Sequence, residues 1–232
     1  MSGALPPRER VASFAVLGLA AFTTTREAGS YGFTDAAPVQ DVNDRWFSLL
    51  RATGGRLASA HQVHGARVVT HQSGWDGWLR VDSADGHATA HHDTALVVTV
   101  ADCVPVFLGH PNGASALLHA GWRGVASGIL DAGVFALKAI GCHPRDLVMH
   151  LGPAICGACY EVGPDVFAQV MRRRSESPAL VDLRALLADQ ARVAGIRQVE
   201  VSACCTRCHN DRFFSHRAGD GGRQVAVIAP SA

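Results

Sequence analysis

The chain has 232 residues, a formal net charge of +1, 48% hydrophobic residues and 18% charged residues. That composition is ordinary for a folded soluble protein with a sizeable core in one domain, and the near-neutral charge argues against a nucleic-acid binder or an anionic-membrane binder. Seven cysteines, an odd number in a chain this large, suit free thiols or metal ligands in a reducing compartment better than a disulfide framework.

In chain order, residues Met1–Arg10 read as a frayed terminus. Arg8 and Arg10 precede an apolar run, Val11–Phe22, that a secretory signal could share. The run is too short to span a bilayer, and Thr23-Thr24-Thr25-Arg26 replaces a small-residue cleavage site. It is read as a core strand or strand pair broken at Gly18, extending to Thr25, in a cytoplasmic protein. Glu27–Ala37 is a Gly/Ser loop. Pro38–Ala52 is a helix whose Val42, Trp46, Leu49 and Leu50 share one face. Leu57–Val63 and Arg67–His71 are strands around a turn at Gly65. Ser73–His92, polar and punctuated by Gly and Trp, is a long surface loop.

Three short apolar runs follow: Ala95–Val100, Val104–Leu108 and Ala114–Leu118. They lack charge and are rich in Val and Leu, the pattern of strands buried on both faces. Gly124–Ile140 is a helix stopped by Gly141. Leu147–Leu151 is a strand, Gly152–Gly163 a Gly-rich loop, and Pro164–Arg174 and Leu180–Gly195 are helices. Gln198–Ala203 and Gln224–Ala229 are strands flanking a loop crowded with Cys, His and Arg. Strands and helices mix without strict alternation, which predicts a single α+β domain over residues 1–232.

Several side chains in this pattern can carry chemistry. His61 and His64 would point to opposite faces of one strand, so they are not a two-ligand clip. His64, Cys103 and His119 each stand at a strand end, where open sheets place their chemistry. Two imidazoles and a thiolate make a sound zinc shell with a fourth position open, the pattern of a catalytic site. The same Cys103 and His119 could instead be a thiolate–imidazole pair for nucleophilic catalysis, or separate core and surface residues. Cys156/Cys159 and Cys205/Cys208 are two Cys-x-x-Cys pairs. The two helices between them make a four-thiolate zinc site a poor expectation, and they are read as packing or loop thiols. Arg123 opens the helix from Gly124, where free N–H groups favour an anion. Arg26, Arg217 and Arg223 are further candidates for holding phosphate or carboxylate. There is no P-loop, His-Glu-x-x-His, His-x-Glu or Gly-x-Ser-x-Gly motif.

The motifs occur in a telling order. They are Gln62-Val63-His64-Gly65, Ala101-Asp102-Cys103-Val104-Pro105-Val106 and His119-Ala120-Gly121-Trp122-Arg123-Gly124. Gly152-Pro153-Ala154-Ile155 with Tyr160-Glu161-Val162-Gly163 follows, then Cys205-Thr206 with Phe213-Phe214-Ser215-His216-Arg217. Together they resemble the YfiH or laccase-domain family, also called multicopper polyphenol oxidoreductases and purine nucleoside phosphorylases. The resemblance runs from about Thr24 to Ile228. The stretch Glu27–Val39 is shorter than the family's, and Val100 stands where Thr is usual.

The resemblance implies an α+β domain of mixed sheets flanked by helices, similar to a toxin domain of cytotoxic-necrotizing-factor type with a Cys–His pair. It implies His64, Cys103 and His119 as metal ligands, for zinc, with copper as the alternative. It implies phosphorolysis of adenosine, inosine, guanosine and methylthioadenosine, with adenosine deamination at the same site. Polyphenol oxidation and hydrolytic editing of peptidoglycan precursors are the competing activities. The partners would be a nucleoside and phosphate, with no nucleic acid and no membrane. On this reading Arg26, Arg123 and Arg217 hold phosphate. Asp102 is either a proton shuttle or an orienting group, and Gln62, His61, Tyr160 and His216 contact substrate.

Overall fold

The computed structural model describes residues 4–33 and 37–231. Strands β1 (Arg8–Arg10) and β2 (Leu19–Thr24) precede helix α1 (Val39–Ala52). Strands β3 (Arg56–Ala60), β4 (Val68–His71), β5 (Gly77–Val81), β6 (Gly86–Thr89), β7 (Ala95–Val100), β8 (Val104–Gly109) and β9 (Ser115–Ala120) follow. Next come helices α2 (Trp122–Ala126) and α3 (Ile129–Ala139), strands β10 (Val148–Leu151) and β11 (Glu161–Val162), and helix α4 (Pro164–Met171). The chain ends with β12 (Ala179–Leu180), α5 (Leu183–Val193), β13 (Gln198–Val201) and β14 (Gln224–Pro230).

Among the described residues the strands form two six-stranded sheets and one short ribbon, β11–β12. The first sheet runs β1-β2-β14-β7-β3-β5 and the second β13-β10-β8-β9-β6-β4. Both mix parallel and antiparallel pairs: β3 lies parallel to β5 and β7, and β4 parallel to β6, whereas β8 and β9 are an antiparallel hairpin. This is the expected mixed α+β domain.

The apolar runs are continuous because the sheets are stacked and covered. Leu96, Val98 and Val100 of β7 meet Phe107 of β8 and Leu117 of β9 between the sheets. The alternate residues Ala95 and Val97 face Val42, Trp46 and Leu49 of α1. On the other outer face, Val106, Leu108 and Leu118 pack against Ile129, Leu130 and Leu137 of α3 and Leu187 of α5. With side chains alternating along a strand, two covered faces require an apolar residue at nearly every position. Fully burying one such Leu contributes about 1.5–3 kcal/mol.

Several local expectations change. Residues 1–3 lie outside the described residues, but Arg8–Arg10 is not frayed: it pairs antiparallel with Phe22–Thr24. Ala12–Leu17 is a 3-10 turn rather than strand, closed by Gly18. The expected loop Glu27–Ala37 opens with a 3-10 turn at Arg26–Ala28, and residues 34–36 of it lie outside the described residues. Pro38 caps α1 instead of occupying its first turn. Strand β3 stops at Ala60, so the alternation argument for His61 to His64 does not apply.

The stretch Ser73–His92 is not a surface loop: it contains β5 and the wholly buried β6. Within it the buried His87 meets the preceding His71 (Nδ1 to Nε2, 2.9 Å). The helix expected over Gly124–Ile140 is two helices, because Gly128 adopts a left-handed φ of 81° that ends α2 and caps α3. Helix α4 ends at Met171, before left-handed Arg172. Helix α5 starts after Asp182, whose carboxylate accepts from the N–H groups of Arg184 and Ala185. No helix among the described residues is long and apolar enough to cross a membrane.

Candidate metal centre

Three strand ends of the two sheets converge on one point. Cys103 lies in the turn between β7 and β8, which Asp102 makes with a φ of 81°, unusual for a residue with a side chain. His119 lies in β9. The β8–β9 register pairs Val104 with Ala120, which puts Cys103 beside Gly121. A Cβ on Gly121 would stand 3.0 Å from the Cys103 Sγ and 3.2 Å from a ring carbon of His64, so the glycine leaves space the cluster needs. His64 comes from the turn after β3, with a φ of 61°. The ligand atoms of His64, Cys103 and His119 all lie within 4.8 Å of one another.

One buried carboxylate sets both histidines. Asp85, fully buried just before β6, accepts from the backbone N–H groups of Val63 (3.2 Å), His64 (2.9 Å) and Gly65 (2.7 Å). The same carboxylate meets the His119 Nδ1 at 2.9 Å. It therefore holds the turn that carries His64 and leaves the His119 Nε2 free to face the cluster, the usual arrangement behind a ligating histidine. Burial pushes the Asp85 carboxyl up, but the hydrogen bond from His119 and those from the backbone outweigh it and hold its pKa low. Burial likewise opposes charge on Cys103, yet the His119 ring beside it draws the thiol below its usual range. His119 rises in turn because Cys103 and Asp85 favour its charged form over the cost of burial.

The cluster lines a cavity of about 420 Å³ together with Tyr31, Phe33, Trp46, His61, Gln62, Arg80, His216 and Arg223. That volume falls in the range of small-molecule sites. Phe33 stacks on Trp78 with ring centroids 6.2 Å apart, and the Arg80 guanidinium lies 5.8 Å over the Phe33 ring. One wall is thus aromatic and two arginines border it.

The other sequence candidates divide. His61 and His216, read as substrate contacts, line the cavity. Gln62 lines it too, but its amide is engaged: Nε2 donates to the Thr99 carbonyl, and Oε1 accepts from the Thr99 N–H and hydroxyl, each at 2.8 Å. Its role here is to tie the His64 turn to β7. Asp102 accepts from the Thr206 hydroxyl (2.6 Å) and the Arg217 N–H (2.7 Å), so it positions the loop from Cys205 rather than standing free as an acid or base.

The arginines read as phosphate holders are placed differently. Arg26 is spent on structure: it donates to the carbonyls of Asn210 and Phe213, pairs with Asp220 at 2.6 Å and lies over Phe214. Arg217 donates to the carbonyls of Cys159 and Glu161 and covers the Tyr160 ring at 5.1 Å. Arg123 lies over its neighbour Trp122 on the five-residue α2, and neither it, Arg217 nor Tyr160 lines the cavity. Burial, then the charge of Cys103, pushes the Tyr160 hydroxyl up to about 12, so it stays protonated.

Sequence reading missed Asp85, Arg80 and the aromatic wall. Asp85 was hidden inside the supposed loop, although an Asp-Gly pair ahead of a short strand is a signal that a carboxylate serves a turn. The structure also gathers Cys156, Cys159, Cys205 and Cys208, read from the sequence as packing or loop thiols: their sulfurs too lie within 4.8 Å of one another.

Residues 24–231 match the family described as multi-copper polyphenol oxidoreductase laccase. The chain belongs to this laccase-domain family. It is 33% identical over 202 residues to "Purine nucleoside phosphorylase ORF3" of Streptomyces griseus, covering 84% of this chain and 82% of that one. It is 36% identical over 182 residues to "Purine nucleoside phosphorylase SCO2081" of Streptomyces coelicolor, covering 75% and 74%. Two solved structures share the fold. The Bacillus licheniformis protein YfiH has a TM-score of 0.88 at 25% identity over 97% of both chains. YlmD from Geobacillus stearothermophilus has 0.88 at 27% identity over 100% of this chain and 99% of that one.

A metal ion, which the laccase-domain family implies, fits these residues. The three donors converge, His119 is oriented from behind by Asp85, and Gly121 keeps the approach clear.

Proposed function

We propose that this laccase-domain chain is a zinc-dependent purine nucleoside phosphorylase that also deaminates adenosine. The observation that carries the reading is one cavity shared by the His64, Cys103 and His119 donors, an aromatic wall and two arginines. The names of the Streptomyces relatives support the same activity. Two imidazoles and one thiolate suit zinc and leave a coordination position for substrate or water, whereas an oxidase with several coppers needs more imidazole donors than this cluster offers.

Phosphorolysis joins a phosphate oxygen to the sugar C1′ while the bond from C1′ to the purine nitrogen breaks. The bonding electrons leave with the base, which takes up a proton, and the products are free base and sugar 1-phosphate. The purine stacks against Phe33, the exposed aromatic ring of the wall, since a flat apolar ring gains most against aromatic faces. Arg80 and Arg223 hold phosphate and favour the charge it brings. His61 or His216, both on the cavity, donates the proton to the departing base. Zinc, when bound to His64, Cys103 and His119, supplies a Lewis acid at the reacting group. In deamination a water oxygen bonds to the purine C6 as ammonia leaves, and the same cavity histidines move the protons.

The test is adenosine turnover with and without phosphate, with metal content measured on the same sample. Phosphate-dependent release of adenine and ribose 1-phosphate, in protein carrying zinc, is expected. Absence of adenine under saturating phosphate would refute the phosphorylase reading. Copper well in excess of zinc, in protein purified without added metal, would refute the choice of metal.

A further inference from the structure

We propose that Cys156, Cys159, Cys205 and Cys208 form a second, structural zinc site that clamps two loops beside the cavity. The site is separate from the His64 centre and independent of the activity assigned to it.

The four sulfurs lie within 4.8 Å of one another, and Cys159 and Cys208 are 3.5 Å apart. Sulfurs bound tetrahedrally at ~2.3 Å from zinc are about 3.8 Å from each other, so the cluster needs only small shifts to close on an ion. A disulfide, by contrast, requires about 2.05 Å, and all seven cysteines are free. Each pair sits on a tight turn: the Cys159 N–H donates to the Cys156 carbonyl at 2.9 Å, and the Cys208 N–H donates to the Cys205 Sγ at 3.4 Å. The Cys156 N–H also donates to the Cys205 Sγ, at 3.3 Å. Backbone N–H groups aimed at sulfur stabilise thiolate.

Zinc with four thiolates carries two negative charges, the thiol protons having passed to solvent. Arg207 and Arg217 offset them, both donating to the Cys159 carbonyl at the edge of the cluster. Four protein ligands leave no open position, which marks a structural rather than a catalytic ion.

Besides the arginine contacts to Cys159 and Glu161, the loops it joins share few backbone contacts. A single bridge pairs Ala154 with Cys205, and the Thr206 N–H donates to the Ala154 carbonyl. Tyr160 directly follows Cys159, and the Thr206 hydroxyl, next to Cys205, holds Asp102 beside the Cys103 ligand. The ion therefore fixes the wall that supports the reactive centre.

Metal content and cobalt spectra test this. Protein purified under reducing conditions from zinc-supplemented culture should carry two equivalents. Loss of the first site by His64→Ala/Cys103→Ala should leave one equivalent. In that variant cobalt replacing zinc should show the intense thiolate-to-cobalt charge transfer and tetrahedral d–d bands of four sulfur ligands. Cys159→Ser/Cys208→Ser should remove one equivalent from wild type and lower Tm. If that variant does not fold, the cobalt spectrum of the His64→Ala/Cys103→Ala variant decides alone. A metal-free His64→Ala/Cys103→Ala protein, cobalt bound without the charge-transfer bands, or a Cys159–Cys208 disulfide in the reduced preparation would each overturn the proposal.

Discussion

The two sulfur-containing clusters of this molecule are built in opposite ways. His64, Cys103 and His119 stand at strand ends of the buried sheets, mix imidazole with thiolate, and are aligned from behind by one carboxylate. The four cysteines stand on loops, offer sulfur alone, and are aligned by backbone N–H groups of their own turns. The first opens on a cavity and leaves a position for a reactant. The second is closed. Rigid scaffold with incomplete coordination makes reactivity, whereas complete coordination on loops makes a fastening, and ligand number and support separate the two roles.

The comparison breaks most sharply at a ligand of the first cluster. His119→Ala should lower kcat/KM for adenosine phosphorolysis by on the order of 10³-fold, the scale lost with a directed electrostatic stabiliser. It should leave the four-thiolate ion in place, which metal analysis of the same sample checks. An active His119→Ala enzyme would remove the reactive role from this cluster.

Histidines outside both clusters give the next largest effect, and they act on the fold. Burial pushes His71 down to about 4, and burial with the neighbouring His71 charge pushes His87 down to about 3. Unfolded, both would titrate near 6.5. Below that value the unfolded chain takes up protons that the folded pair refuses, so stability, full at neutral pH, is lost as pH falls from about 6.5 toward 4. The loss should reach about 3 kcal/mol for each histidine at pH 4, read from urea unfolding midpoints. A His71→Phe/His87→Leu variant should show a shallower pH dependence. An unchanged slope would assign the acid loss to release of the metals.

These histidines belong to the region that was least legible in the sequence. Strands β7, β8, β9 and β14 are readable because two covered faces impose unbroken apolar runs. Strand β6 is just as buried but carries His87 and Thr89, and its neighbour Asp85 is charged. Polar residues that find partners inside are invisible to a hydropathy pattern. The convergence of His64, Cys103 and His119 could be suggested from strand ends and motif order. The convergence of the four cysteines could not, because two helices intervene and the loops are brought together by tertiary contacts such as the Ala154–Cys205 bridge and the Arg217 bonds to Cys159 and Glu161. The break at Gly128 was equally hidden: the apolar spacing continues through it while the backbone does not.

Asp85 sharpens the contrast from the supporting side. Asp85→Asn would exchange one acceptor oxygen for an amide donor facing backbone N–H groups. Metal affinity at the His64 centre should fall about 10- to 100-fold, as it does when the partner of a ligating histidine is lost. Zinc titration of the apoprotein checks this. The four-cysteine cluster, which has no carboxylate behind it, should bind unchanged. Equal weakening of both sites would mean that Asp85 acts through the fold as a whole.

The smallest effect concerns the arginines, where sequence and structure part company. Arg26 was a phosphate candidate, yet its guanidinium is held by Asn210, Phe213 and Asp220 away from the cavity, whereas Arg223, whose Nη1 donates to the carbonyls of Asp220, Gly221 and Gly222, borders it. Arg223→Gln should raise the KM for phosphate about tenfold, with kcat changed less, since a charge-assisted contact contributes roughly 1.5–3 kcal/mol. Arg26→Gln should leave the KM for phosphate unchanged. It should instead cost about 1 kcal/mol of stability, because its partly exposed ion pair with Asp220 is worth little more. Steady-state kinetics at varied phosphate, paired with thermal unfolding of both variants, separate a cation that meets substrate from one that meets only its own chain. A rise in the phosphate KM for Arg26→Gln with no change for Arg223→Gln would move the phosphate site from the Arg223 side of the cavity to the loop that Arg26 supports.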